Sequence, residues 1–323
     1  MNETLGRTGL IETPGNPTPQ SIVSGTVATP DRVRLRFAGC PSRLPKTRGT
    51  VILLQGRNET IEKYFETIAD LTALGYMVAT VDWRGQGGSD RLLRRSRLGH
   101  VSRFEAYVED LETVFRDVVL PDCRGPFAVL AHSMGGAVAI LAAPRLLNRV
   151  ERIVAGAPLI SLPEAGPDPR RLRIGTSVLR YSGLGRIPMP SPNRAKGPPD
   201  AATSLLTSDE RRLMRNVALI EAAPQLFVGN PTAGWLNAAT TTMRRLDDSD
   251  VIARLQVPTL IVTAGADRIV SSAAAERLAW RMRSGHSITL PGARHEILQE
   301  ADRYRAPFLA AFDAFAGGAL PLE

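Results

Sequence analysis

The sequence predicts an α/β protein with a mostly parallel sheet covered by helices on both faces. Short apolar runs alternate with stretches of helical spacing on both sides of a long irregular segment in the 323-residue chain. Such alternation is typical of right-handed βαβ units. One apolar run, residues 127–130, also passes into a small-residue helix with almost no loop between them. In sheets of this kind the chemistry collects beyond the carboxyl ends of the strands, so the candidate site is expected there.

Composition and charge restrict the class of protein. A hydrophobic content of 43% with 22% charged residues is that of a globular protein with a packed core. The net charge of +8 favours acidic partners, but only 5% of the residues are aromatic and no nucleic-acid-binding motif is present. We therefore expect no nucleic acid partner.

The cysteines and histidines argue against a metal or cofactor site. Cys40 and Cys123 are the only cysteines, they form no C-x-x-C pair, and the chain has four histidines. We therefore expect no metal and no cofactor. Residues 1–20 hold no apolar segment of the kind that a secretory signal needs, so a cytoplasmic protein is expected.

The first elements are an arm, a hairpin and a βαβ unit. Residues 1–20 are rich in Pro, Gly, Thr and Asn and are predicted to form a loose N-terminal arm. Residues 26–37 alternate around a turn, as two antiparallel strands do. The apolar run 50–54 is typical of a buried parallel strand, and it is followed by a helix at 61–74 and a strand at 77–81.

Residues 82–90 form a glycine-rich loop after the second parallel strand. The loop lacks the G-x-G-x-x-G spacing of a dinucleotide-binding site. Residues 91–97 hold four arginines and are predicted to be a solvated surface stretch. An amphipathic helix follows at 104–120, and strands follow at 125–130 and 151–155.

Residues 158–246 interrupt the alternation of strands and helices. The segment has many Pro and Gly residues, a helical piece at 209–222 and no clear buried strand. It carries 12 Lys or Arg against 6 Asp or Glu, and it holds too many apolar residues for a disordered linker. We therefore predict a helical cap inserted into a core that consists of residues 21–157 and 247–323.

The alternation resumes after the insertion. Strands are predicted at 258–263 and 287–290, with a helix at 273–283 between them and a final amphipathic helix that reaches Phe315. Each of these two strands runs into a short polar turn that contains a titratable side chain.

The sharp turn at residues 131–135 is suited to a nucleophile. Ser133 has small residues two positions before it and two positions after it, which lets the helix and the strand pass closely. The turn forces Ser133 into a strained backbone conformation and places its hydroxyl at a helix N-terminus, where free N–H groups favour negative charge. Ala131 stands where the common pattern G-x-S-x-G has its first glycine.

Ser133, Asp267 and His295 are predicted to form a catalytic triad. A serine hydroxyl near neutral pH needs a base within hydrogen-bond reach and an acid that orients this base. Asp267 and His295 follow the last two strands, and their turns are expected to open on the same edge of the sheet as Ser133. The chain order Ser, Asp, His is the one that accompanies a strand-to-helix serine turn.

Other acids and histidines remain as alternatives at this stage. The fallback for the acid role is a group of three residues: Asp247, Asp248 and Asp250. The weaker candidates for the base are the remaining histidines: His100, His132 and His286. His132 adjoins the nucleophile and is predicted to pack beneath the turn.

Two backbone N–H groups are predicted to bind the oxyanion, because attack on a carbonyl creates a negative charge that needs preorganised donors. One is the N–H of Met134, which directly follows the nucleophile. The other is the N–H of Arg57 in the turn after the first buried strand, where Gly56 lets the backbone approach.

Five motifs occur between about residues 50 and 315. They are Gln55-Gly56-Arg57-Asn58-Glu59 with Lys63-Tyr64-Phe65, Asp82-Trp83-Arg84-Gly85-Gln86-Gly87, His132-Ser133-Met134-Gly135-Gly136, Gly265-Ala266-Asp267 and Arg294-His295-Glu296-Ile297-Leu298. In these motifs and their order the sequence resembles the α/β-hydrolase superfamily, and within it the lysophospholipase and monoacylglycerol lipase group. The departures are Ala131 in the serine turn and Gln55, where many lipases carry His, and neither removes a catalytic group.

The resemblance implies an α/β-hydrolase fold with an eight-stranded sheet, the cap, and the triad and oxyanion pair at the positions named above. It also implies hydrolysis of carboxylic esters of acyl glycerols or lysophospholipids. Apolar faces of the cap would shelter an acyl chain, and its arginines would meet phosphate headgroups or an anionic membrane surface. Two alternatives remain open: a serine peptidase of the proline-iminopeptidase type, and a ligand-binding scaffold without turnover.

Overall fold

The computed structural model describes residues 9–93, 97–190 and 200–318, which contain one eight-stranded sheet. The strands are β1 (Val23–Ala28), β2 (Arg34–Cys40), β3 (Thr50–Leu54), β4 (Met77–Val81), β5 (Phe127–His132), β6 (Arg152–Gly156), β7 (Thr259–Ala264) and β8 (Gly285–Leu290). The α-helices are α1 (Phe65–Ala73), α2 (Glu105–Val114), α3 (Leu120–Asp122), α4 (Ser133–Leu146), α5 (Pro169–Leu179), α6 (Glu210–Ala222), α7 (Ala233–Leu246), α8 (Ser249–Ile252), α9 (Ser272–Arg281) and α10 (Asp302–Gly317).

The sheet has the strand order β1-β2-β4-β3-β5-β6-β7-β8. β2 pairs antiparallel with β1 and with β4, and every other neighbouring pair is parallel. The predicted fold class, a mostly parallel sheet built from alternating strands and helices, is therefore confirmed. The carboxyl ends of β3 to β8 all point to one edge of the sheet, and this edge carries the candidate site.

The central strands are apolar throughout because helices cover both of their faces. β3 and β7 are buried at every position, and strands of this kind lose the alternation of a half-exposed sheet. β8 lies at the edge of the sheet and is largely exposed or half-buried. β3 and β4 therefore lie at the residues where the continuous apolar runs predicted them.

Two of the predicted helices contain a turn that is not α-helical. The helix expected at 61–74 starts with a 3₁₀ turn, Ile61–Tyr64, before α1. The helix expected at 104–120 consists of α2, a π-helical turn at Phe115–Val119, and α3. Pro121 in α3 has no N–H, and its ring crowds the carbonyl group four residues earlier, which accounts for the widened turn.

Between β6 and β7, the described part of residues 158–246 holds α5, α6 and α7 and only isolated β-bridges. α5 packs on α7, and α7 packs on α4 of the core. Leu219, Ala223 and Leu226 form a small apolar cluster that is separate from the main core. We retain residues 158–246 as the proposed cap. None of the described helices combines the length and the apolarity that crossing a bilayer requires.

Residues 9–20 of the predicted arm lie against the core. The side chain of Asn16 is buried, and its amide donates to the carbonyl of Glu62 at 2.9 Å. Residues 1–8 of the arm, and residues 94–96 of the arginine run, lie outside the described residues.

Candidate active site

Ser133 is the first residue of α4 and directly follows the last residue of β5. Its φ is +51°, a left-handed conformation that is strained for a residue with a side chain. The strain results from turning a strand into a helix without a loop. The same geometry places the hydroxyl at the N-terminus of α4.

Glycines let α4 lie directly against its neighbours. A Cβ atom on Gly135 would lie 2.5 Å from the carbonyl oxygen of Gln55, and one on Gly136 would lie 2.8 Å from Cβ of Pro158. Both contacts are too short for a side chain. Ala131, by contrast, is fully buried in β5, so its methyl group fits where the common pattern has a glycine.

Ser133, His295 and Asp267 form one hydrogen-bonded chain. His295 Nε2 lies 2.9 Å from Ser133 Oγ, and His295 Nδ1 lies 2.8 Å from Asp267 Oδ2. Asp267 Oδ1 accepts the backbone N–H groups of Ile269 and Val270 at 2.7 and 3.0 Å, which fixes the carboxylate. The fold thus brings together three side chains that are far apart in the sequence.

The surroundings of Asp267 favour its ionised form. Burial opposes ionisation of the carboxyl, but the interaction with His295 and hydrogen bonds from His295, Val270 and Ile269 outweigh burial and lower the pKa of Asp267 below its usual value. An ionised Asp267 keeps the proton on His295 Nδ1. Nε2 is then free to accept the proton of Ser133.

Two of the three fallback acids have other partners. Asp247 forms an exposed ion pair with Arg281 at 2.5 Å. Asp248 accepts the backbone N–H groups of Asp250 and Val251 at the start of α8. Asp267 is therefore the acid that the structure places beside the histidine.

Among the other histidines, His132 is the one that lies close to His295. Its ring is buried behind the serine turn, with a centroid 4.9 Å from that of His295. His100 Nδ1 bonds Thr232 Oγ1 at 2.8 Å, and the ring of His286 packs against α10.

The two predicted oxyanion donors, Arg57 and Met134, both line the cavity in front of Ser133. Met134 is the second residue of α4, so its N–H has no partner within the helix. Among the described residues, no acceptor takes the backbone N–H of Arg57 or of Met134. The N–H of Gly56 is engaged instead, because it donates to a carboxylate oxygen of Glu59 at 2.5 Å.

The side chain of Arg57 reaches into the insertion. Its Nη2 donates to the carbonyl of Gly229 at 2.5 Å, and its guanidinium carbon lies 5.1 Å from the ring centre of Trp235. Beside it, Asn58 Oδ1 accepts the N–H of Val228 at 2.7 Å. Burial lowers the pKa of Arg57 to about 10, so the side chain stays charged at neutral pH. The turn after β3 is therefore held by the insertion.

A buried cluster of charged side chains, to which the sequence analysis assigned no role, lies beside the triad. Lys63 Nζ lies 2.8 Å from Glu59 Oε1 and 2.6 Å from Glu296 Oε1. Glu59 also accepts from the hydroxyl of Tyr64 at 2.7 Å, and Glu296 Oε2 has no partner among the described residues. The four-residue spacing of Glu59 and Lys63 was the available signal. No spacing rule connects them to Glu296, which follows His295.

Burial and charge set the protonation states in this cluster. Burial opposes the charge of Lys63, but Glu296 and Glu59 outweigh it and raise the pKa of Lys63. Burial raises the pKa of Glu296 despite the attraction of Lys63, whereas the pKa of Glu59 is lowered because Lys63 and the hydrogen bond from Tyr64 outweigh its burial. Burial lowers the pKa of His132 to about 4. This imidazole is therefore neutral at neutral pH and adds no positive charge beside His295.

A cavity of about 1210 Å³ opens in front of Ser133. Most of its lining is apolar, and much of this lining comes from the insertion: Leu159, Leu162, Leu172, Met189, Leu206, Leu213, Val217, Leu219, Ile220, Phe227, Trp235, Leu236, Ala239 and Met243. Glu59, Lys63 and Glu296 line the same cavity beside the triad. No described arginine of residues 158–246 lines it.

Comparison with known proteins gives one family and several curated relatives. Residues 45–302 match the family described as "Serine aminopeptidase, S33". Lysophospholipase L2 of Escherichia coli (strain K12) is 32% identical over 295 residues, covering 82% of this chain and 79% of that protein. The monoglyceride lipase of Rattus norvegicus is 27% identical over 235 residues, covering 72% of this chain and 69% of that protein.

Solved structures share the fold. A soluble variant of the monoglyceride lipase from Saccharomyces cerevisiae, in complex with a substrate analog, matches with a TM-score of 0.72 and 20% identity, covering 93% of this chain and 95% of that chain. A highly thermostable carboxyl esterase from Bacillus coagulans, in complex with glycerol, matches with a TM-score of 0.74 and 17% identity, covering 92% and 99%. At these identities the likeness concerns the fold alone.

Proposed function

The chain belongs to the serine aminopeptidase S33 family and to the lysophospholipase and monoacylglycerol lipase group of the α/β-hydrolases, and on this premise we propose that it is a serine hydrolase acting through an acyl-enzyme. It is a carboxylic ester hydrolase, as the sequence predicted. The observation that carries the serine mechanism is the hydrogen-bonded chain from Ser133 through His295 to Asp267, which borders an apolar cavity.

In the proposed mechanism, His295 Nε2 takes the proton of Ser133 as the serine oxygen attacks the acyl carbonyl carbon. Asp267 keeps the imidazole oriented and stabilises the positive charge that develops on it. The negative charge on the carbonyl oxygen is met by the backbone N–H groups of Arg57 and Met134.

The tetrahedral intermediate collapses when His295 gives its proton to the oxygen of the leaving alcohol. The alcohol departs, and the acyl group stays on Ser133 as an ester. A water molecule, deprotonated by His295, then attacks this ester, the fatty acid leaves, and Ser133 regains its proton.

The size and polarity of the cavity support a substrate in which a long acyl chain is esterified to a polar alcohol. Its volume of about 1210 Å³ exceeds the roughly 300–1,000 Å³ of ordinary small-molecule pockets, and its apolar wall suits an alkyl chain. Glu59, Lys63 and Glu296 supply donors and acceptors for a polar alcohol portion such as a glycerol or a glycerophosphate. We propose lysophospholipids or monoacylglycerols as the substrate class.

The serine mechanism is tested with Ser133→Ala and a soluble ester, p-nitrophenyl butyrate. We expect kcat to fall by about 10⁶, and labelling by a fluorophosphonate probe to disappear. Ser102→Ala removes an exposed serine and serves as the control. Turnover retained in Ser133→Ala would contradict the assignment. A panel of lysophospholipids and monoacylglycerols then ranks the substrates.

A peptidase of the proline-iminopeptidase type is the second candidate, and the name of the matching family, serine aminopeptidase S33, favours it. Rates on amino-acid anilides and on monoacylglycerols, measured with one preparation, separate the two activities. Faster cleavage of the anilides would favour the peptidase. A chain that neither reacts with the probe nor cleaves any ester would instead be a ligand-binding scaffold.

The proposed substrates are held in bilayers or micelles, so we propose in addition that the protein contacts anionic membranes peripherally. The proposed cap supports this, since it carries 12 Lys or Arg against 6 Asp or Glu.

A further inference from the structure

A smaller cavity, which we call the arginine pocket, lies where the insertion meets the core. Its volume of about 360 Å³ is within the range of sites that hold a small ligand. Its lining comes from α5 and α7 of the insertion, from α9 of the core and from the segment after β6. Neither Ser133 nor His295 lines it, so the arginine pocket is separate from the proposed triad.

Basic side chains dominate the charged lining of this pocket. Five arginines line it: Arg170, Arg173, Arg244, Arg277 and Arg281. Two of them lie three residues apart on α5 and two lie four residues apart on α9, so each pair shares one face of its helix. The fifth lies on α7. Three helices therefore present guanidinium groups to one concave surface.

Four of the five arginines have no acid to neutralise them. Asp247 is the one acid among the described residues that line the pocket, and it pairs with Arg281 at 2.5 Å. No other described acid lies within ion-pair distance of the remaining four. Elsewhere in the insertion, by contrast, Arg212 and Arg215 both bind Glu66. The unpaired arginines thus leave a positive potential in the pocket.

The floor of the pocket strengthens this potential. Leu246 and Leu278 line it and are buried, and apolar walls beneath a group of like charges focus their field into the cleft. The hydroxyl of Ser161 also lines the pocket and has no hydrogen-bond partner among the described residues. An anion in the pocket would therefore meet both guanidinium groups and a free hydroxyl donor.

We propose that the arginine pocket binds a soluble anion with two or three linked phosphate groups, such as an inorganic or nucleoside oligophosphate. Guanidinium groups recognise phosphate oxygens through paired, charge-assisted hydrogen bonds. One phosphate group carries a charge of only about −1.5 to −2 at neutral pH. Linked phosphates supply enough negative charge, over enough distance, to meet arginines on three different helices.

An anion bound there would join the insertion to the core, because α5 and α7 belong to one and α9 to the other. Thr240 and Met243 line both the arginine pocket and the substrate cavity. The anion would thus lie behind a wall that the two cavities share. The binding site itself does not depend on the proposed hydrolysis.

Isothermal titration calorimetry of the full chain with inorganic tripolyphosphate tests the proposal. We expect one tripolyphosphate per chain, an affinity that falls with added salt, and much weaker binding of orthophosphate. Arg244→Gln/Arg277→Gln should lower the affinity for tripolyphosphate roughly 100-fold, since each lost charge-assisted hydrogen bond costs about a factor of ten. Both arginines are exposed, so thermal unfolding without the anion should be unchanged.

A matched control removes two arginines outside the pocket. Arg124→Gln/Arg149→Gln changes two exposed arginines that precede β5 and β6, and this variant should bind tripolyphosphate as the wild type does. Tripolyphosphate should also slow proteolysis of the insertion in the wild type and in the control, but not in Arg244→Gln/Arg277→Gln. Without the anion, both double variants should hydrolyse p-nitrophenyl butyrate at the wild-type rate.

The outcomes separate this site from catalysis. Ser133→Ala should bind tripolyphosphate normally, so loss of its turnover concerns the proposed function and not the arginine pocket. Equal affinity for orthophosphate and tripolyphosphate, or equal losses in the pocket and control variants, would overturn the proposal. Binding of phosphatidylglycerol vesicles without binding of tripolyphosphate would also overturn it, because the phosphate would then belong to a lipid headgroup.

Discussion

Replacing Lys63 by methionine tests the buried charged cluster beside the proposed triad. The change removes the ammonium that lies 2.8 Å from Glu59 and 2.6 Å from Glu296 and keeps an unbranched apolar stem. Glu59 then still accepts from Tyr64 and from the N–H of Gly56. Glu296 keeps no side-chain partner among the described residues, because its Oε1 bonds Lys63 and its Oε2 bonds nothing.

The expected loss follows from leaving a buried carboxylate uncompensated. Breaking a buried ion pair from one side costs about 3–5 kcal/mol of unfolding free energy, and we expect this loss for Lys63→Met at about pH 8. Burial already raises the pKa of Glu296, and removing Lys63 raises it further. Between the unfolded pKa of about 4.3 and the folded pKa, the folded state binds more protons, so the variant loses stability as pH rises, by up to about 1.4 kcal/mol per unit.

Urea unfolding of the wild type, Lys63→Met and Lys63→Met/Glu296→Gln at about pH 5 and about pH 8 measures this loss. The double variant should recover most of the stability at the higher pH, because no unpaired charge remains at that position. Arg116→Met removes an exposed pair with Asp117 and serves as the surface control. The reasoning is refuted if Lys63→Met costs no more than this control, or if its cost is the same at both pH values.

Three further changes test the site and its supports. Asp267→Asn no longer orients the histidine, so kcat on p-nitrophenyl butyrate should fall about 10⁴-fold with an unchanged circular dichroism spectrum. Gly135→Ala places a methyl group 2.5 Å from the carbonyl oxygen of Gln55, and thermal unfolding should show a loss of about 1–3 kcal/mol or more. Arg212→Met removes a buried guanidinium that joins α6 to Glu66 of α1 at 2.6 Å, so limited proteolysis should cut the insertion faster.

Each of these changes has a control within the chain. At Gly175 an added Cβ meets nothing within 4 Å, so Gly175→Ala should leave stability unchanged or slightly raised. Arg211 is 72% exposed, and Arg211→Met should not change the proteolysis rate. Asp250→Asn, at an exposed position, should keep full activity. If Asp250→Asn lost as much activity as Asp267→Asn, the assignment of the acid role to Asp267 would be contradicted.

The fold was predictable from the sequence where burial alone sets the pattern. β3 and β4 occupy the predicted residues because a parallel strand covered on both faces must be apolar at every position. The ends of elements were harder to predict. The apolar run before the serine stops at Leu130, but β5 continues through His132, which pairs with Gly156 of β6. Pairing with a neighbouring strand cannot be derived from a single run.

The candidate site was predictable where topology constrains it. Ser133, Asp267 and His295 follow β5, β7 and β8, whose carboxyl ends share one edge of the sheet. The cluster of Lys63 with its two glutamates was not recognised, because charged residues on a helix usually face solvent and carry no mark of burial. Only the packed fold brings the third member within 2.6 Å of the lysine.

Arg57 connects the proposed oxyanion site with the inserted segment. Its backbone N–H is a proposed oxyanion donor, while its side chain holds Gly229 and lies over Trp235 in the inserted segment. If lipid enters by displacing that segment, the same displacement pulls on the turn that supplies the donor. The position of the inserted segment and the position of a proposed oxyanion donor therefore depend on the same residue.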